Sequence, residues 1–551
     1  MHKIIQTLLL IIFFGIAHQP LKAQYAYNQA LKPFYHNVAS GDPLTDRVIL
    51  WTKVTPDFPS NSSTITVKWM VATDAEMKKI VQKGKLTTDA SKDYTVKIDV
   101  KKLKAGTTYY YQFEALSKKS SIGRTKTVPE GEVKHLRFAV VSCSNYQAGY
   151  FNAYGRIAER DDLDAVIHLG DYIYEYGEGG YGDSTLVASG KRSLAPKTEI
   201  ISLEDYHARY STYRLDPDLQ KLHQMHPFIT VWDDHESAND SYKGGAQNHT
   251  EGEEGKWTER EKAARKVYAE WIPLRGNADK IYRTIQYGNL AELIMLDTRL
   301  EGRDKQIKDI TNPELYSEDR TILGKEQREW LFRTLEDSKA QWKILGNQVM
   351  FADYNIGWAA AASPNYTPEQ LEGIFLDIWD GYPAERAKII NFIGEKKIND
   401  VVIITGDVHC SFAYDVALRP SVFTEKGKTT TYDPSTGKGS IAVEFVTTSI
   451  TSANYDENIG KTQAQMLNYQ INKPLAAPAP NNVNPNPHMK FANLIDHGYL
   501  ILDLTPEKAQ SDWYFVKDIL SENKEEYFGE GWFTKSGENH LQKAEKPASK
   551  K

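Results

Sequence analysis

Cysteine is close to absent from this chain: its 551 residues hold two, Cys143 and Cys410. A disulfide-stapled scaffold is thereby excluded. One bridge between the pair stays open, in competition with a metal-ligand role for either. Charge of one sign is also missing, since 67 Lys and Arg face 73 Asp and Glu, a formal charge of −6. That gives no global pull toward nucleic acid or an anionic membrane, so an anionic substrate has to be captured locally. Internal repeats are lacking. The longest apolar run falls within the first 23 residues, and no later stretch could span a bilayer, which predicts a soluble mature protein.

Met1–Ala23 is expected to be a cleaved secretory signal: Lys3 opens it, Leu8–Ala17 is its apolar core, and Leu21-Lys22-Ala23 is the cleavage site. Losing Lys3 and Lys22 takes the formal charge from −6 to −8. The leader has no Arg–Arg pair, so Sec-type export to the periplasm or the extracellular space is expected. At 40% hydrophobic content the remainder can fill two or three domains.

Residues 32–128 read as all-β. Val48–Val54, Thr64–Thr73 and Tyr94–Val100 are rich in β-branched and aromatic residues, and Tyr109-x-Tyr111-x-Phe113 alternates strictly after a Gly106 turn. That predicts a fibronectin-III- or Ig-like sandwich with a tyrosine-corner strand, or else an aromatic strand of some other β domain. From residue 135 to about 520 strands and helices alternate, as an α/β sheet requires. Thr258–Ile272 is expected to be a helix with a Thr258/Glu261 capping box, stopping at Pro273. The Lys-rich residues 542–551 lack periodicity and are expected to form a disordered tail.

Four apolar runs end in groups able to hold a cation. They lead into Ser142-Cys143, Gly170-Asp171-x-x-Tyr174, Trp232-Asp233-Asp234-His235-Glu236 and Gly406-Asp407-Val408-His409. Ligands collect at such carboxyl ends of strands in α/β sheets. Singly each is weak, because an Asp after Gly is often a helix cap and a lone His often serves a backbone group. All four in succession point to a metal-site enzyme.

This order of motifs resembles the PhoD-like alkaline phosphatases of the calcineurin-like metallophosphoesterase superfamily. Val38-Ala-Ser-Gly-Asp42, Leu296-Asp297-Thr298-Arg299 and Trp379-Asp-Gly-Tyr-Pro-Ala-Glu-Arg386 extend the likeness over nearly all of the mature chain. The resemblance implies an α/β fold, an αββα metallophosphoesterase sandwich behind an N-terminal all-β domain, with a ferric iron–calcium centre. It also implies a secreted phosphomonoesterase with phosphodiesterase capability, acting on small organic phosphate esters. The residue types agree with those metals. Cys143, Tyr174, His409 and one oxygen of Asp171 would form an anionic mixed shell suited to ferric iron. Asp171 as bridge, Asp234 and Asp407 offer only oxygen, which suits calcium. Asp407 also replaces the first His of the superfamily's Gly-His-x-His pattern, against zinc. Asn239 or Asn347 could add an amide oxygen, with plain hydrogen bonding favoured for Asn347. Metal-activated hydroxide would attack phosphorus in line. His235 would contact the phosphoryl group or protonate the leaving oxygen, oriented by Glu236. Arg299 would grip the phosphoryl oxygens or pair with Asp297. Cys410 would be a small buried hydrophobe or the disulfide partner of Cys143. Rival readings are a phospholipase-D-like or nucleotide phosphodiesterase and, without catalysis, an exported metal-containing binding or adhesion protein.

Overall fold

The computed structural model describes residues 27–57, 64–362, 365–421, 430–471 and 484–551; the expected signal at 1–23 lies outside the described residues. Two large sheets face one another. The first has ten strands in the order Gln542–Lys543, Glu526–Lys535, Lys508–Val516, Gly498–Leu504, Leu136–Val141, Ala165–His168, Pro227–Thr230, Val38–Gly41, Arg47–Lys53, Thr95–Lys101. The second has seven: Arg283–Tyr287, Ala291–Met295, Trp342–Gly346, Val401–Thr405, Ser440–Val446, Ser411–Ala417, Met489–Asn493. Phe138, Val140 and Leu500 of the first sheet share one core with Leu293, Ile344, Val402 and Phe445 of the second. Helices cover the outer faces. Asn152–Ala158 and Pro217–Met225 supply Tyr154, Ile157 and Leu222 to the first side. Gly324–Asp337 and Pro383–Glu395 supply Leu331, Leu335 and Ile389 to the second. This is the expected αββα arrangement. The central parallel strands, such as Leu136–Val141 and Ala165–His168, are buried at every residue, which is why they read as mainly apolar runs, with Arg137 and His168 the exceptions.

The N-terminal region is all-β, and Tyr109 makes the expected corner, its phenol oxygen accepting from the Lys104 N–H at 2.8 Å. A five-stranded sheet built around Ile65–Ala72 and Thr108–Ala115 packs Val67, Val71, Tyr111 and Phe113 on Val48, Leu50 and Val96. The strands carrying those last three residues belong to the ten-stranded sheet. Val38–Gly41 pairs in parallel with Pro227–Thr230, with Ser40 opposite Pro227, so one layer of the β domain continues the catalytic sheet. The Val38–Asp42 motif is this seam. A Cβ on Gly41 would lie 2.4 Å from the Pro273 carbonyl oxygen, and Asp42 accepts from the Arg275 N–H (2.8 Å) and the Arg283 guanidinium (2.6 Å).

Two local expectations are corrected. The helix Trp257–Trp271 starts at an Lys256 N-cap without a side-chain cap bond, and the Trp257 N–H donates instead to Glu251 Oε2 at 2.9 Å. Glu261 is thereby free to pair with Arg265 one turn on, at 2.8 Å. Residues 542–551 are docked, not disordered. Leu541 and Ala544 are buried just before and within the segment, and Gln542–Lys543 pairs with Trp532 and Phe533. Ala548 N–H donates to Asp512 (2.8 Å), Arg137 to the Ser549 carbonyl (2.8 Å), and Lys551 to the buried Asp164 (2.7 Å). The lysine composition suggested solvation, but one of these lysines is the partner of a buried carboxylate.

Candidate metal centre

Cys143, Asp171, Asp407 and His409 all have left-handed backbone, with φ of 60°, 55°, 65° and 63°. Such conformations cost on the order of 1–3 kcal/mol each and persist only where the surroundings over-determine them. Here they do. Cys143 N–H donates to the Gly170 carbonyl at 3.2 Å and Ser144 N–H to the Asp171 carbonyl at 2.9 Å. Gly170, at φ 106°, lies so close to the third motif that a Cβ would come within 2.4 Å of the Asp233 nitrogen. Each strand thus ends in a sharp turn that aims its ligand-bearing side chain into one space.

The motifs converge there. Cys143, Asp171 and His409 present ligand atoms all within 4.8 Å of one another. Tyr174 joins them, its hydroxyl 3.0 Å from Asp171 Oδ2 and 3.3 Å from His409 Nε2. Asp171, Asp234 and His235 form a second such group, Asp233, Asp234 and Asp407 a third, and Asp234, Asp240 and Asp377 a fourth. Asp171 is common to the first two, as a bridge would be. Asn239 is tied to the site through its backbone N–H, which donates to Glu175 Oε1 at 2.7 Å, and its side-chain nitrogen donates to Gln247 Oε1 at 2.9 Å. Asn347 is spent on Val349 and Trp379. Both cysteines are free; Cys410 is buried in the second core, so the alternative Cys143–Cys410 disulfide is not formed and the thiol of Cys143 is available.

Two expected roles change hands. Glu236 does not reach His235. The tight turn Asp233–Glu236 folds its carboxylate back to accept from the N–H groups of Asp171 (3.0 Å), Tyr172 (2.5 Å) and Asp233 (2.7 Å), so it clamps two ligand loops together. Glu175 orients the imidazole instead, with Oε2 2.7 Å from His235 Nδ1. Burial disfavours the imidazolium, but Asp234, Glu175 and Asp171 outweigh it and hold the His235 pKa well above its ordinary value. Arg299, expected to clamp a phosphoryl group or pair with Asp297, is fully buried, and each guanidinium nitrogen already donates to a carboxylate: Nε to Asp233, Nη1 to Asp377 (2.6 Å), Nη2 to Asp407 (3.0 Å). Asp297 takes backbone N–H groups only, from Arg299 and Leu300.

Sequence reasoning missed Glu175, Asp240 and Asp377 as members of the site. It also passed over Thr447–Asn454, a run of hydroxyl and small residues buried throughout. That run's composition right after the apolar strand Ser440–Val446 was the available signal.

The donor set fits metal ions. Burial, reinforced by neighbouring carboxylates, pushes Asp171 and Asp407 well above the usual carboxylate range. Burial takes Asp233 to about 6 despite Arg299 beside it, and its Oδ2 has no hydrogen-bond partner. So many anionic donors around one space call for cations as their counter-charge.

Comparison with known proteins agrees. The family model described as PhoD-like phosphatase matches residues 138–513, and that described as PhoD-like phosphatase, N-terminal domain, matches 20–129. Alkaline phosphatase D of Bacillus subtilis (strain 168) is 37% identical over 514 residues, covering 90% of this chain and 80% of that one. A solved structure of PhoD superposes with a TM-score of 0.77 at 34% identity, covering 95% of this chain and 94% of the other. Fold, converging anionic donors and sequence likeness meet in one conclusion: the chain belongs to the PhoD-like phosphatases and is a metal-dependent phosphoric ester hydrolase.

Proposed function

We propose that this phosphatase acts outside the cytosol on phosphomonoesters, with phosphodiesterase capability, using a mixed ferric iron–calcium centre. The observation that carries the reading is a thiol, a carboxylate, a phenol and an imidazole meeting at one point beside an all-oxygen group. Cys143, Asp171, Tyr174 and His409 would hold the iron; Asp171, Asp234, Asp407 and Asn239 would hold the calcium. Cations so held would polarise phosphoryl oxygens and acidify a water. The chain's own part is to place charge and protons. His235, oriented by Glu175 and favoured in its charged form by Asp234, Glu175 and Asp171, donates to the leaving oxygen as it separates from phosphorus. Arg299 favours the charged forms of Asp233, Asp377 and Asp407 and holds their carboxylates in place, and is a positioning residue. In the described residues no helix is long and apolar enough to cross a membrane. Export rests on the leader at 1–23.

Elemental analysis with a visible spectrum tests the metal assignment. Purified enzyme should contain iron and calcium and show a phenolate-to-iron charge-transfer band that Tyr174→Phe abolishes; an active, colourless enzyme overturns it. Initial rates should be highest on a monoester, lower on a diester and lowest on phosphatidylcholine. The reverse order would favour the phospholipase-D-like reading. Glu175→Gln removes the carboxylate that orients His235 and one of the charges that favour its imidazolium. It should cut kcat about 100-fold, within the range of general-acid contributions, with metal content unchanged. Unaltered kcat would leave His235 without its assigned role.

A further inference from the structure

We propose that Ser452 is a positioning residue for Tyr174, its hydroxyl donating to the phenolic oxygen and setting the direction and strength of that oxygen as a metal donor. The inference rests on Tyr174 serving as an iron ligand. The geometry comes from the buried run Thr447–Asn454, which lies along the back of the thiol–phenol–imidazole group. Thr448 Oγ1 donates to the His409 carbonyl (2.9 Å), Ile450 N–H to the Ser142 carbonyl (3.1 Å), and Thr451 and Ser452 N–H to the Cys143 carbonyl (3.3 Å each). The run therefore fixes both sharp turns from one side.

It also governs the ligand atoms. Ala453 O lies 2.9 Å from His409 Nδ1, which places the ring proton on Nδ1 and leaves the Nε2 lone pair facing Tyr174 and Asp171. Ser452 Oγ is 2.6 Å from Tyr174 Oη and 2.9 Å from the Cys143 carbonyl. A hydroxyl has one proton to give. A ligating Tyr174 has none, and its other polar neighbours are Asp171 Oδ2, which only accepts when ionised, and His409 Nε2, which ligates. The Ser452 proton then belongs on the phenolate oxygen, as a charge-assisted bond of the strong kind.

Ser452 is itself buttressed. Ser449 Oγ donates to the Ser452 carbonyl (2.6 Å) and lies 2.9 Å from His497 Nδ1, and His497 Nε2 lies 3.0 Å from Glu457 Oε1. This serine–histidine–glutamate chain has the look of a hydrolytic triad. Ser449 is wholly buried, however, so it serves as a strut and not as a nucleophile.

The test uses ferric-reconstituted full-length enzyme, with visible absorption and iron retention against a competing chelator as readouts. Removing a donor from a phenolate raises the energy of its donor orbital. Ser452→Ala should therefore move the charge-transfer band to longer wavelength and weaken iron retention about 10-fold or more, the usual cost of losing a ligand's hydrogen-bond partner. Ser452→Thr should restore both. If Ser452→Ala fails to fold, Ser452→Cys, a weak donor, should show the same shift at reduced size. An unchanged band and unchanged retention in a folded variant overturn the proposal, while bleaching by Tyr174→Phe in the same experiment leaves the iron reading intact. A wild-type enzyme with no band for Tyr174→Phe to remove overturns both.

Discussion

Asp171→Asn is expected to lower kcat/KM by about 10³ without unfolding the protein. Asp171 sits in both ligand groups, with Cys143 and His409 on one side and Asp234 and His235 on the other. Neutralising it would remove the carboxylate common to the two proposed metal positions. Metal-derived charge stabilisation is worth several kcal/mol, and about 4 kcal/mol corresponds to three decades in rate. Asn is the informative replacement because it tolerates the left-handed backbone at φ 55° better than Ala. The fold has no reason to suffer. Burial pushes the Asp171 carboxyl well above its ordinary range, so in metal-free protein a neutral amide relieves a cost. Initial rates, iron and calcium content and a thermal scan separate the cases. Lost activity with an undiminished metal-free melting point supports catalysis, whereas a variant that only unfolds would favour a structural metal site.

Removing the metals should abolish activity and uncover a pH dependence that holoenzyme lacks. Each ion bound at a thousandfold excess over its Kd contributes about 4 kcal/mol, so roughly 8 kcal/mol is lost with two. The sign of the pH effect follows from the raised carboxyls. Burial brings Asp233 to about 6 and Glu236 to about 7, and holds Asp171 and Asp407 higher than usual too. The folded metal-free state then binds more protons than the unfolded chain from about pH 4, the ordinary carboxylate range, up to those values. Stability must fall as pH rises through that window. Chelated enzyme should accordingly melt at a higher temperature at pH 5 than at pH 8, and re-addition of iron and calcium should restore both the melting point and the activity at pH 8. Equal melting points for chelated enzyme at the two pH values would contradict the electrostatic account.

The parts of the site legible in the sequence were those where chemistry follows a short apolar run by one or two residues. Cys143, Asp171, Asp234 and Asp407 share that property, and a parallel sheet gathers such ends without help from distant contacts. What escaped depends on where a backbone turn sends a long side chain. Glu236 adjoins His235 in sequence, yet its carboxylate serves three backbone N–H groups, while Glu175, sixty residues earlier, reaches the imidazole. For Arg299 the sequence offered only a phosphoryl group or the nearby Asp297, because the carboxylates that surround it, Asp233, Asp377 and Asp407, come from three separate segments. The docked C-terminal residues show the same limit, since a lysine meant for Asp164 is indistinguishable in composition from one meant for water.

The strand Val38–Gly41 lies between Arg47–Lys53, made almost at once, and Pro227–Thr230, which emerges from synthesis about 190 residues later. Until that distant segment arrives, the N-terminal layer carries an unpaired row of amides and carbonyls, a template for joining another unfinished copy. Clumping of partly made chains is thus a hazard inherent in this architecture. A polypeptide kept unfolded until it has crossed a membrane avoids it, because both partners then meet in one event.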